Sequence, residues 1–134
     1  MSWFGSVRAA ADRMGRLFGE ARRRLAASAR NFYDRHLARR YRTLLVEANL
    51  PERLKSRYLY IVQEDGFEEQ AAMLCPCGCG RVLHMNLLPD DRPCWKLTRH
   101  EDGTPSLHPS VWRKKDCGSH FWLREGRVIW CRGA

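Results

Sequence analysis

The run Cys75-Pro-Cys-Gly-Cys-Gly80 constrains what this chain can fold into more than any other stretch. Cys75, Cys77 and Cys79 fall within five residues, and Pro76, Gly78 and Gly80 let the backbone turn tightly enough to aim several sulfurs at one point. Alternate thiols are too close in sequence to bridge one another easily, so they need a metal or distant partners. The N-terminus lacks the apolar core of an export signal, so the expected compartment is the cytoplasm, where reducing conditions favour metal over disulfides. Free thiols packed as small hydrophobes are the bland alternative, but a run with two glycines makes a poor core segment. Downstream, Cys117-Gly-Ser-His120 adds one thiol and one imidazole. That gives five candidates for the four places of a tetrahedral Zn2+ site. Cys75, Cys77, Cys79 and Cys117 suffice to fill it and leave His120 free. The alternative, one clustered cysteine idle and His120 in its place, stays open. Cys94 and Cys131 read as buried or incidental thiols.

The net charge of +9 is unevenly spread. Residues 1–50 hold eleven arginines against Asp12, Glu20, Asp34 and Glu47. Trp3, Phe4, Val7, Ala10, Ala11, Met14, Leu17 and Phe18 recur at helical spacing and line up one apolar face. A second helical run is expected through Leu25, Phe32, Tyr33, His36, Leu37, Tyr41, Leu44 and Leu45, stopping near Pro51. The chain thus divides into a basic amphipathic helical extension, 1–52, and a second part, 53–134. Such an extension can dock on an acidic partner, lie on an anionic membrane or grip nucleic acid, or simply pack its apolar face with solvated arginines. Docking on a protein is favoured over nucleic acid or membrane. Trp95, Trp112, Trp122 and Trp130 all lie outside the basic region. No stretch is long and apolar enough to be a transmembrane segment.

From residue 57 the period changes to that of strands. Arg57–Gln63 is rich in β-formers, Glu64-Asp65-Gly66 signals a turn, and Phe67–Leu74 returns as the partner strand. Val82–Leu88, Trp95–His100 and Ser110–Arg113 are further strand candidates. Phe121–Arg124 and Arg127–Cys131 form a last hairpin about Glu125-Gly126. Thr104–Pro109, punctuated by prolines, reads as a loop. The predicted fold class is α+β: an arginine-rich helical N-terminal extension followed by a small zinc-stabilised antiparallel β domain. So small a β core buries little apolar surface, and a structural zinc makes up the deficit.

These residues resemble the BubE family, small cysteine-rich proteins encoded in bacterial ubiquitination-like operons, with phage relatives. The resemblance rests on Tyr58-Leu-Tyr-Ile-Val-Gln-Glu-Asp-Gly66, the Cys75–Gly80 cluster, Leu87-Leu-Pro-Asp90, Asp102-Gly-Thr-Pro-Ser-Leu-His-Pro-Ser110, Cys117-Gly-Ser-His-Phe121 and Gly126-Arg-Val-Ile-Trp130. It covers roughly residues 57–131. It implies a bacterial ubiquitin-like protein and its conjugates as partners, together with the activating and conjugating enzymes of the same operon. The activity implied is processing or deconjugation by a serine-type hydrolase.

The residues themselves offer that chemistry. A serine hydrolase needs a hydroxyl nucleophile, a base and oxyanion donors. Ser110 follows Pro109 at a loop-to-strand junction, and a turn between residues 113 and 118 brings His120 back toward it. In the family pattern Ser110 and His120 fall in the Pro-Ser and Cys-x-x-His-Phe motifs. His84, His100 and His108 are rival bases. Asp102 or Asp116 is a candidate to orient the imidazole, and Gly78 or Gly118 to donate backbone N–H groups. A turn serine and a zinc-ligating His120 are the competing readings. A zinc metallohydrolase is less favoured, because thiolate-rich sites are usually closed and no HExxH is present. A non-catalytic zinc module that docks on pathway components is the remaining alternative.

Overall fold

The computed structural model describes residues 2–131, with side chains from residue 7 onward. One continuous helix, α1 (Ser2–Phe32), opens the chain. It is built from strong helix formers, Ala, Arg, Leu and Met, with no proline to break it. The side chains of Trp3 and Phe4, assigned to its apolar face, lie outside the described residues. Most of that face stays in water: Val7, Met14, Leu17, Phe18 and Leu25 are all more than half exposed.

α1 ends in a wide π-helical turn, Tyr33–Leu37, closed by Ala38 N–H donating to Tyr33 C=O at 2.7 Å. This turn swings Asp34 inward, where it is buried. Its carboxylate accepts from Arg57 Nη2 at 3.0 Å and Trp130 Nε1 at 2.7 Å. Asn31 Oδ1 accepts from Trp130 N at 3.2 Å, Arg30 stacks over the Trp130 ring, and Arg30 Nη2 donates to Pro76 C=O at 3.0 Å. Among the described residues, it is the C-terminal end of the helix that is clamped to the β part.

The second helical run expected to pass through Leu44 and Leu45 is corrected by the structure. Arg42–Glu47 is strand β1, paired in parallel with β2 (Tyr58–Glu64). β3 (Phe67–Leu74) and β4 (Val82–Asn86) follow antiparallel, giving a mixed sheet in the order β1-β2-β3-β4 rather than a wholly antiparallel one. β5 (Lys96–Arg99) pairs with β6 (Pro105–His108), so the expected loop at 104–109 contains a strand. Proline is tolerated there because Pro105 opens the strand. β7 (Val111–Trp112), β8 (His120–Arg124) and β9 (Arg127–Trp130) form the third sheet.

One core joins the sheets. Leu59 and Ile61 of β2, Met73 of β3 and Met85 of β4 meet Leu107 of β6 and Phe121, Leu123 and Val128 of β8 and β9. Two tight turns set the register. Asp65-Gly66 and Glu125-Gly126 both take positive φ at both residues, the geometry that matches hairpin twist. Gly126 is required by close approach as well as by its positive φ. A Cβ there would stand 2.7 Å from Tyr41 C=O, while its own C=O accepts from Tyr41 N at 2.8 Å.

Candidate active site and metal centre

Ser110 sits between β6 and β7, and His120 opens β8. Antiparallel pairing sets Trp112 opposite His120, which brings Ser110 and His120 to one edge of the sheet. Ser110 Oγ lies 3.0 Å from His120 Nε2, and both side chains are half-buried. Trp95 Nε1 donates to Ser110 C=O at 3.3 Å and holds the backbone beneath the hydroxyl. The Trp112 indole stacks on the His120 ring, with centroids 4.8 Å apart and planes 16° from parallel.

The two acids considered as orienters of His120 are engaged elsewhere. Asp116 accepts from Arg113 Nη2 at 2.8 Å and faces Arg81 at 3.5 Å. The Arg113 hydrogen bond holds its carboxyl below the ordinary range. Asp102 accepts from Thr104 Oγ1 at 2.6 Å and Thr104 N at 3.1 Å, and pairs with Arg40 at 3.2 Å. Those Thr104 bonds likewise depress its pKa. Gly78 N–H donates to Cys75 C=O and Gly118 N–H to Lys115 C=O, so both candidate oxyanion donors are committed to turns. Of the rival bases, His84 is exposed on β4, and His108 packs against Trp122 with ring centroids 5.7 Å apart.

His100 has a serine of its own. His100 Nε2 lies 2.7 Å from Ser106 Oγ, a pair the sequence reading missed because Ser106 lay in a stretch read as loop. The oxygens of the two pairs differ in their other partners. Ser106 Oγ also accepts the Glu125 backbone N–H at 2.8 Å. Among the described residues, Ser110 Oγ has no hydrogen-bond partner but His120.

Four of the cysteines gather in one cluster. The Sγ atoms of Cys75, Cys77, Cys79 and Cys117 all lie within 4.8 Å of one another. Cys75 Sγ is 3.3 Å from Cys77 Sγ and 3.7 Å from Cys117 Sγ. A tetrahedron with 2.3 Å zinc–sulfur bonds has edges of about 3.8 Å, so this cage can hold a metal ion with little movement. The loop after β3 is folded for the task by Cys75 N–H donating to Arg81 C=O at 2.8 Å. The buried Ser119 hydroxyl stands 3.3 Å from both Cys75 and Cys117 Sγ, as an outer-shell partner would.

The thiol electrostatics divide. Burial pushes Cys75 up to about 12, whereas the Ser119 hydroxyl and N–H bring exposed Cys117 down to about 6. Cys77 is also lowered: burial works upward, but hydrogen bonds from Cys75 and Ser119 outweigh it. A cation bound at all four sulfurs would remove the conflict, since thiolate is the ligating form. His120 is not part of the cage. Its ring nitrogen turns to Ser110, while its neighbour Ser119 faces the sulfurs. Cys94 and Cys131 lie outside the cluster as well.

The site thus combines a four-cysteine cage, a small β scaffold and a close serine–imidazole pair. The family model described as bacterial ubiquitination-like system serine protease (BubE) matches residues 46–131, and the chain belongs to that family. The match begins within β1 and takes in all six cysteines, both Ser–His pairs and every later strand, leaving α1 outside. Comparison with curated proteins and with solved structures finds no match. Among the described residues, no helix is long and apolar enough to cross a membrane.

Proposed function

We propose that this chain is a serine-type peptidase or isopeptidase that releases a bacterial ubiquitin-like protein from a precursor or a conjugate. The observation that carries the reading is the 3.0 Å approach of Ser110 Oγ to His120 Nε2, inside a family whose model is described as a serine protease.

Ser110 Oγ attacks the scissile carbonyl carbon as its proton passes to His120 Nε2. The tetrahedral oxyanion then collapses, the bond to the leaving group breaks, and the imidazolium returns its proton to that group. Water repeats the sequence on the acyl-enzyme and releases a carboxylate. No carboxylate contacts His120 among the described residues. The Trp112 ring stacked on it fixes the plane of the imidazole and offers a π face to the charge that develops during proton transfer. Cys75, Cys77, Cys79 and Cys117 hold Zn2+ as a structural ion that fixes the loop delivering Ser119 and His120. α1, basic and clamped at its C-terminal end, docks on an acidic surface of a pathway component. The protein works in the cytoplasm, with α1 as the basic extension and the sheets from β1 onward as the zinc-binding unit.

The test is cleavage of the operon's ubiquitin-like precursor by wild type, Ser110→Ala, His120→Ala and Ser106→Ala, with metal content measured on each. Loss of cleavage in the first two variants, with one zinc retained, supports the assignment. Loss only in Ser106→Ala moves the chemistry to the His100 pair. A wild type that binds the precursor without cleaving it makes the chain a docking module.

A further inference from the structure

A cavity of about 500 Å3 opens where the π-helical turn faces the β8–β9 hairpin. Arg35, His36, His100, Arg124 and Arg127 line it, and Glu125 is its single carboxylate. Arg127 Nη1 is buried with no hydrogen-bond partner. Among the described residues, Arg35, Arg124 and Arg127 enter no ion pair, whereas Arg57, Arg99 and Arg113 each find a carboxylate. Arg124 and Arg127 are direct cross-strand partners, a like-charge pairing that opposes the hairpin. An anion between them would satisfy the orphaned N–H and relieve the repulsion.

The cavity also lies at the end of a track that starts at the Ser110–His120 pair. On β8, Phe121 and Leu123 are buried, so His120, Trp122 and Arg124 share the outer face. Two strand repeats separate His120 from Arg124, about 13 Å along the strand, the span of about four extended residues. Trp122 forms the ledge between them, flanked by His108 and capped by the Arg124 guanidinium 4.5 Å over its ring. On β6, Ser106 lies on the same outward side as His108, alternating with buried Pro105 and Leu107.

We propose that this pocket binds a carboxylate side chain of the substrate protein, borne on an extended segment about four residues from the cleaved bond. The proposal rests on the hydrolase reading above, and it names a specificity determinant for that reaction. A bidentate arginine clamp suits a carboxylate, and the aromatic ledge suits an extended chain leading to it.

The experiment separates pocket from catalysis. Capped glutamyl-triglycine and its glutaminyl counterpart are titrated by NMR into the full chain carrying Ser110→Ala. The glutamyl peptide should bind about tenfold tighter, with shifts centred on residues 124–127, as a charge-assisted bond predicts. That preference should vanish when Arg127→Gln is added and shrink with Arg124→Gln, whose exposed side chain makes it the safer variant for folding. Equal binding of the two peptides overturns the proposal. So does inorganic phosphate that binds as tightly as the glutamyl peptide, because the site then serves free oxyanions. Cleavage by wild type is then measured on peptides with glutamate stepped along the chain from the scissile bond. Cleavage indifferent to its position overturns the pocket. Glutamate binding without any cleavage overturns the hydrolase reading alone.

Discussion

Two serine–histidine pairs lie within a short stretch of this fold, and they differ in what else the serine oxygen does. Ser106 Oγ stands 2.7 Å from His100 Nε2 and also accepts the Glu125 N–H. With a lone pair committed to backbone, that hydroxyl acts as a brace between β6 and the β8–β9 turn. Ser110 Oγ stands slightly farther from its histidine, 3.0 Å, but spends nothing on the scaffold. The shorter contact thus belongs to the serine whose oxygen has the further partner. A nucleophile needs a base within reach and an oxygen otherwise unoccupied, and distance alone does not reveal the second condition.

The widest gap between the pairs is expected on serine removal. Ser110→Ala should lower the cleavage rate by about 10^4-fold or more, in line with loss of a serine nucleophile elsewhere, with little change in Tm. Ser106→Ala should do the reverse. Its loss of two hydrogen bonds costs about 1–2 kcal/mol of stability, while cleavage falls by less than about tenfold. Thermal melts beside single-turnover rates for the two variants measure the contrast. Matching losses of rate would end it.

The metal cage should divide the pairs next. Cys117 and Ser119 lie in the segment that leads into His120 at the start of β8, so a metal held in the cage should brace the Ser110 pair first. Cys117→Ser should release the ion and cost at least about 4 kcal/mol, the range that follows loss of a structural metal, and abolish cleavage. Hydrogen exchange should show β7 and the start of β8 opening while the β5–β6 hairpin stays protected. If both hairpins open together, the cage serves the whole fold rather than His120.

How far these features could be read in advance follows from how local their causes are. Asp65-Gly66 and Glu125-Gly126 carry their turn geometry in their own residue types, so both hairpins were legible. The cysteine run declared a cage by spacing, and its convergence with Cys117 needed only that the strands between be short. β1 was not legible. Leu44 and Leu45 continue a helical spacing from Leu37 and Tyr41, and the choice of strand depends on a free parallel edge of β2, a tertiary fact. β6 was hidden by Pro105 and Pro109, and with it Ser106. Asp102 and Asp116 looked available as orienters because sequence does not show that Thr104 and Arg113 already hold them.

With no acid beside His120 among the described residues, Trp112 becomes the sharper test of that pair. Trp112→Leu removes the face stacked on the imidazole at 4.8 Å. A cation–π contact of about 0.5–2 kcal/mol predicts a roughly two- to thirtyfold fall in kcat. Trp112→Phe should recover part of it, and zinc content and Tm should hardly move. A kcat left unchanged by Trp112→Leu would reduce Trp112 to a packing residue.

The smallest effect concerns the turn beneath the His100 pair. Asp102 ties the segment between β5 and β6 through Thr104 and Arg40, and these bonds hold its pKa below the ordinary value near 3.8. Its folded pKa is lowered, so the unfolded chain binds the proton more readily. The stabilisation is therefore complete above the unfolded pKa and is lost as pH falls through the folded one. The carboxylate is solvent-exposed and screened, so the effect is modest. Tm should decline below about pH 4, with amide exchange rising first at residues 99–105, next to His100, and later around Ser110. Asp102→Asn should flatten that part of the profile. If exchange around Ser110 rises first instead, the Asp102 bonds do not govern the acid response of the segment between β5 and β6.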